Sequence, residues 1–157
     1  MSQDPGQSVT LNQDEKVMAA LAHVTILLPF MGLVAPIVIW VTQKDKSEYV
    51  NFQALQALAY QISMMMFWFL GMGCYMCSFF GTFFMIPGGA ALADGNEEIV
   101  GPIMMVTFAI PFLVFGLMFV GFIAFIVYGI IGAIMTLQGR DFNYIVIGQR
   151  VKRFIEN

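Results

Sequence analysis

One histidine, two cysteines three residues apart and three glutamines within apolar sequence are the residues whose chemistry could go beyond packing. Cys74 and Cys77, in the order CYMC, would share one side of a helix, and CxxC is a spacing used by redox and metal sites. Thiols in hydrocarbon keep their protons and make poor thiolates, so the pair is read as small core residues. His23 has no second histidine, and no Asp or Glu interrupts the apolar runs, so it lacks the partners of a metal site or a proton wire. It is expected as a neutral imidazole hydrogen-bonded to another helix, with Gln53, Gln56 or Gln61 as natural partners. Those glutamines fall within roughly 140° of one another at 100° per residue. Together with His23 they form an expected polar intramembrane cluster whose amides must find partners. The 13 methionines, Met64 to Met66 among them, could offer thioethers to a soft metal, but no paired repeat arranges them, and flexible apolar filling is the preferred reading. No Ser/His/Asp set, buried carboxylate pair, phosphate-cradling glycine loop or H-E-x-x-H occurs, so the chain is read as non-enzymatic, with no metal and no cofactor.

The elements that must hold these residues are set by hydropathy. With 59% hydrophobic and 11% charged residues and a mean hydropathy of +0.80, the chain is far from a soluble domain, in which about a quarter of residues are charged. Charges are absent from Val17 to Gln43, from Tyr49 to Ala93 and from Ile99 to Gly139, and each run exceeds the roughly 20 residues needed to cross hydrocarbon. The net charge of -3 argues against a nucleic-acid partner, and the only basic cluster is Arg150, Lys152 and Arg153. Met1 to Lys16 is polar and acidic, so no cleavable signal peptide is expected there.

The expected fold is all-α: an integral membrane helical bundle of three to four helical membrane segments, the first broken at Pro29/Gly32 and the last at Pro111. Residues 1–11 read as a mobile tail, 12–139 as one membrane domain with segments near 13–43, 50–86 and 99–138, and 140–157 as a basic cytoplasmic tail. Asn12 and Glu15 have capping-box spacing at the start of the first helix. The run from Val17 to Gln43 allows two paths: one kinked span, or two half-helices turning near Pro29 to Gly32, each too short to cross alone. Pro87-Gly88-Gly89 is expected to end the second segment before an acidic loop at Asp94, Glu97 and Glu98.

Gly121, Gly129, Gly132 and Ala133 place small residues at intervals suited to close helix packing. Trp40, Lys44, Lys46, Arg140, Arg150, Lys152 and Arg153 are expected as interface anchors, and the basic groups place the C-terminus in the cytoplasm. Ile145, Ile147 and Val151 alternate with polar groups in a tail expected as a short amphipathic element on the inner surface.

Four stretches carry a family resemblance: Leu21-Ala22-His23 with Pro29-Phe30 and Gly32; Pro36 to Trp40; Ser47 to Val50 running into Gln56 to Ile62; and Gly139 followed by Tyr144. Over most of the chain from about Asp14 this resembles small, uncharacterised bacterial membrane proteins related to the membrane subunit of the chloroplast inner-envelope protein-import translocon. The resemblance implies a small helical bundle in the bacterial cytoplasmic membrane with both termini on one side, which favours the half-helix path. The expected function is that of an accessory or scaffold subunit of a larger membrane complex, with lipid and other membrane proteins or further copies as partners. The alternative is a translocator or channel-like component with a path lined by His23, Gln53, Gln56 and Gln61.

Overall fold

A computed structural model describes residues 11–28, 31–92, 94 and 96–156. Of the expected mobile tail only Leu11 is among them, and Pro29 and Phe30 lie outside them as well. The regular elements of the described residues are all helices, with no strand among them: α1 (Gln13–Val24), α2 (Val34–Gln43), α3 (Glu48–Leu92), α4 (Glu97–Leu137) and α5 (Ile147–Glu156), with 3₁₀ turns at Thr25–Leu27 and Met31–Leu33. Two helices are long and apolar enough to cross a membrane, Glu48–Gly89 and Glu98–Leu137. The chain divides into two compact units, Met1–Ile62 with Ile126–Asn157, and Ser63–Phe125.

In the first unit α1 and α2 form a hairpin. At 1.5 Å per residue their lengths are about 18 and 15 Å, and neither could cross roughly 30 Å of hydrocarbon. Ala22 on α1 and Ile39 and Trp40 on α2 pack against Ala54 and Ala57 of α3. The ends of the hairpin meet where Ser47, just before α3, donates its hydroxyl to the Glu15 carboxylate at 2.6 Å. Glu15 also accepts the Asn12 N–H at 2.9 Å, and the Ser47 oxygen accepts the Val50 N–H. One carboxylate thus sits at the N-termini of α1 and α3, where helix dipoles favour negative charge. These hydrogen bonds hold the Glu15 pKa below its ordinary value, the Ser47 hydroxyl contributing most and the Asn12 N–H next.

The turn between α1 and α2 depends on Gly32, because a Cβ there would lie 2.4 Å from the Thr25 carbonyl oxygen. Pro36 is tolerated because it falls in the first turn of α2, where the backbone N–H would have no helical partner.

The second unit pairs the outer part of α3 with the first part of α4, antiparallel. Phe67 packs on Phe125, Trp68 on Phe122 and Tyr75 on Phe115, while Gly71 admits Met118, Gly121 admits Phe67 and Gly89 admits Ile103. The outer faces carry large apolar side chains, with Phe84 81%, Met105 78% and Phe112 76% exposed. In water such a surface would drive aggregation; in lipid it is matched by its solvent.

Two expected breaks are absent. α3 continues through Pro87 to Leu92, and α4 runs unbroken through Pro102 and Pro111. Pro111 cannot supply the N–H that the Thr107 carbonyl would receive in a regular helix. The Thr82 hydroxyl of α3, 95% buried, lies 3.3 Å from that carbonyl and 3.0 Å from the Ser78 carbonyl of its own helix. Ser78 already has a helical donor in the Thr82 N–H, so the hydroxyl proton can serve Thr107. A neighbouring helix supplies what the proline removes, and the helix does not kink apart.

Candidate functional site

At the end of α4 the chain turns sharply. Gly139 adopts φ +74°, its N–H donates to the Thr136 carbonyl at 2.9 Å and the Arg140 N–H to the Met135 carbonyl at 3.0 Å, the paired bonds of a Schellman ending. The Tyr49 hydroxyl lies 3.3 Å from both the Thr136 and the Arg140 carbonyl oxygens, and the Lys16 side chain packs on Gly139 where the α4 dipole is negative.

The segment that follows, 141–146, is not helical. Phe142 and Tyr144 turn inward and are buried, whereas Asp141, Asn143 and Ile145 face outward, the two-residue alternation of extended chain. Extended backbone enclosed by helices has no neighbour of its own kind with which to hydrogen-bond, and each unmet N–H or C=O is costly. The first turns of α3 solve this with amides. The Phe142 carbonyl accepts from Gln53 Nε2 at 3.1 Å and Gln56 Nε2 at 2.9 Å, and the Tyr144 N–H donates to Gln56 Oε1 at 3.0 Å. Gln56 therefore grips the segment as a paired strand would, with one donor and one acceptor.

This grip fixes the state of His23. Because Gln53 Nε2 faces the Phe142 carbonyl, Gln53 Oε1 is the acceptor that meets His23 Nε2 at 3.1 Å, and His23 must carry its proton there. The other ring nitrogen, Nδ1, then accepts from the Tyr144 hydroxyl at 3.1 Å. Tyr144 stacks on Tyr60 at 3.9 Å between centroids, and Tyr128 stands edge-on to Tyr60, Phe142 and Tyr144. Gly132 makes the space: a Cβ there would lie 2.8 Å from the Phe142 ring and 3.2 Å from His23 Nδ1. Gly129 gives room to Ile26, and Ala133 is buried beside them in sequence.

Gln61 is placed apart from this group. Its Nε2 donates to the Ala22 carbonyl and the Thr25 hydroxyl oxygen, both at 3.2 Å, and so caps the end of α1 at the hairpin turn. Its Oε1 is buried and has no hydrogen-bond partner among the described residues.

Of the residues singled out in the sequence, His23, Gln53 and Gln56 come into direct contact. The principal partner of His23 beyond Gln53, Tyr144, lies 121 residues away, and the sequence marks it only as the Tyr that follows Gly139 in the family resemblance. Cys74 and Cys77 are not core residues: both are free and exposed on α3, whose outward face here is apolar. Trp40 is half-buried against the alanines of α3, and Lys44, Lys46, Arg140, Arg150, Lys152 and Arg153 are exposed. Among the described residues no group of three His, Cys, Asp or Glu could hold a metal ion. The cluster has no water-facing wall at its amides, since Gln53 and Gln56 are 0% exposed. Its chemistry is mutual satisfaction: it locks the 141–146 segment onto α1, α3 and α4.

A family model described as the magnetosome magnetite crystal formation protein family, MamF/MmsF, matches residues 14–151, from the first turn of α1 to the middle of α5. No curated protein and no solved structure matches the chain. Nothing in these comparisons connects it with the plastid translocon.

Proposed function

The chain belongs to the magnetosome magnetite crystal formation family, and from that premise we propose that it is a non-enzymatic, multi-pass accessory or scaffold subunit of a bacterial magnetosome membrane that contributes to magnetite crystal formation. The observation that carries this reading is the family match, which contains every residue of the amide and aromatic cluster. The cluster supports a scaffold, because its polar groups are spent on holding backbone and not displayed to a substrate. A translocation path along Gln53 and Gln56 has no support in side chains so fully enclosed. By the positive-inside rule Arg140, Arg150, Lys152 and Arg153 face the cytoplasm, and the connection between α3 and α4 faces the opposite side of the membrane.

Deletion of the gene in its host tests the proposal. The expected result is magnetosome vesicles that still form but hold crystals of altered size or number, restored by the wild-type chain, with the protein resisting alkaline carbonate extraction from those vesicles. Unchanged crystals in the deletion strain would overturn it.

A further inference from the structure

The basic tail carries a surface that the buried cluster leaves unused. Around α5, Ile147, Val151, Phe154 and Ile155 fall within about 100°, and Gln149, Arg150, Lys152 and Arg153 occupy the remainder. Only part of the apolar stripe is spent on protein. Val151 is buried and Ile147 half-buried, whereas Phe154 is 71% exposed, and in the turn leading into the helix Ile145 is 80% and Val146 66% exposed. The helix is nevertheless held in place at its start. The Gly148 N–H donates to the Tyr144 carbonyl at 2.9 Å, and a Cβ at Gly148 would lie 2.6 Å from Gln56 Oε1 and 3.0 Å from Asn143 Oδ1. Gly148 thus sits directly on the amide that grips the 142–144 backbone.

We propose that residues 145–155 form a docking surface for anionic phospholipid headgroups of the bilayer that the chain itself spans. Phe154, Ile145 and Val146 enter the boundary between headgroups and acyl chains, and Arg150, Lys152 and Arg153 meet phosphate oxygens. Charge and tethering both select this occupant. The surface begins eight residues after Leu137, the last residue of a membrane-crossing helix, so a bilayer surface is always within reach. It combines exposed aromatic and branched apolar groups with exposed guanidinium and ammonium groups, the combination that suits the interfacial layer, where apolar and charged surroundings meet within a few ångströms. A soluble acidic partner would satisfy the charges but would have to find the apolar groups as well. Because α5 rests on the Gln56 clamp, lipid engagement and closure of the buried cluster stabilise one another.

The test uses the full chain with Cys74→Ala and Cys77→Ala, reconstituted in vesicles of phosphatidylcholine alone or with one third phosphatidylglycerol. A nitroxide is attached at Phe154→Cys or at Gln149→Cys, and collisions with oxygen and with a water-soluble nickel chelate are compared. Position 154 should report lipid and position 149 water, with the contrast strongest on anionic vesicles. Each of R150Q, K152Q and R153Q should lower the docked-to-undocked ratio about fivefold on anionic vesicles and leave it nearly unchanged on zwitterionic ones. Thermal unfolding midpoints of the three variants in detergent check that the fold is kept, and a label at Ile145→Cys provides a second reporter if the 154 variant does not fold. Water exposure at both 154 and 145 on anionic vesicles overturns the proposal. So does protection that is equal on both vesicle types, or protection that grows with the protein-to-lipid ratio, which would indicate a second copy of the chain as the occupant.

Discussion

Replacing Gln56 by Leu removes the clamp while keeping a side chain of similar size and apolar character. The Phe142 carbonyl would retain Gln53 Nε2, and Gln53 Oε1 would retain His23, so those two groups stay satisfied. The Tyr144 N–H would lose its partner in a residue that is 2% exposed. A buried donor left unmet costs about 1–3 kcal/mol, a large fraction of a total stability of about 5–15 kcal/mol. The expected loss is therefore about 2 kcal/mol, measured by reversible unfolding in mixed micelles with Trp40, which packs on Ala22, Ala54 and Ala57, as a fluorescent reporter. Hydrogen exchange at the Tyr144 amide should accelerate by about the same factor, roughly thirtyfold, because opening of this segment becomes easier while α3 remains folded. Gln61→Leu is the internal control. It deletes a buried oxygen that lacks a partner among the described residues and leaves the Ala22 carbonyl with the Thr25 hydroxyl, so it should cost clearly less than Gln56→Leu. A Gln56→Leu loss below about 0.5 kcal/mol, or slow exchange at Tyr144 in that variant, would refute the claim that amides replace a missing strand.

Three further perturbations address the other joints of the structure. Thr82→Val should destabilise by about 0.6–1.7 kcal/mol, the usual worth of an interhelical hydrogen bond in a membrane, and Pro111→Ala in that background should recover the loss by restoring a donor to the Thr107 carbonyl, as a double-mutant cycle would show. Glu15 has a lowered pKa when folded, so its contribution is fully present above its ordinary value of 4.5 and fades as pH falls through the folded value. Unfolding as a function of pH should show wild type above Glu15→Gln near neutrality and the two converging in acid. Gly139→Ala should cost about 1 kcal/mol for left-handed backbone, and more if Lys16 cannot move aside, read as a lower unfolding midpoint.

The sequence made some of this legible and hid the rest for reasons that particular residues explain. Long charge-free runs announce helices in lipid because hydrocarbon admits almost no other backbone, and the presence of α3 and α4 follows from that, though not their continuity through Pro87 and Pro111. The sequence from Val17 to Gln43 allows two paths because what joins the ends of the hairpin, the Ser47 hydroxyl on Glu15, spans 32 residues and leaves no local pattern. Pro111 looked like a break because a helix read in isolation must lose the Thr107 bond. Its remedy, Thr82, is 25 residues away on another helix, and no local pattern marks it. Cys74 and Cys77 looked like core because small apolar residues usually are; beside a lipid solvent, the outside of a helix accepts them equally well.

The three glutamines show how an inference can identify the residues and still leave their role open. An amide face on an apolar helix needs partners, and that requirement holds whether the partners are water in a channel or protein. What separates them is the 141–144 stretch, whose backbone has no sheet to join and is met by the glutamine amides. Its carbonyl at Phe142 and N–H at Tyr144 are the same kind of groups that a hydrated path would have offered as water. Gln53 and Gln56 are thus explained by a backbone defect elsewhere in the chain, and His23 is fixed as a neutral Nε2–H tautomer by the same defect through Gln53 and Tyr144. The glutamines and the non-helical segment therefore depend on each other: a chain that lost the clamp would have to extend α4 or release its tail, and in either case α5 would no longer be seated on Gln56.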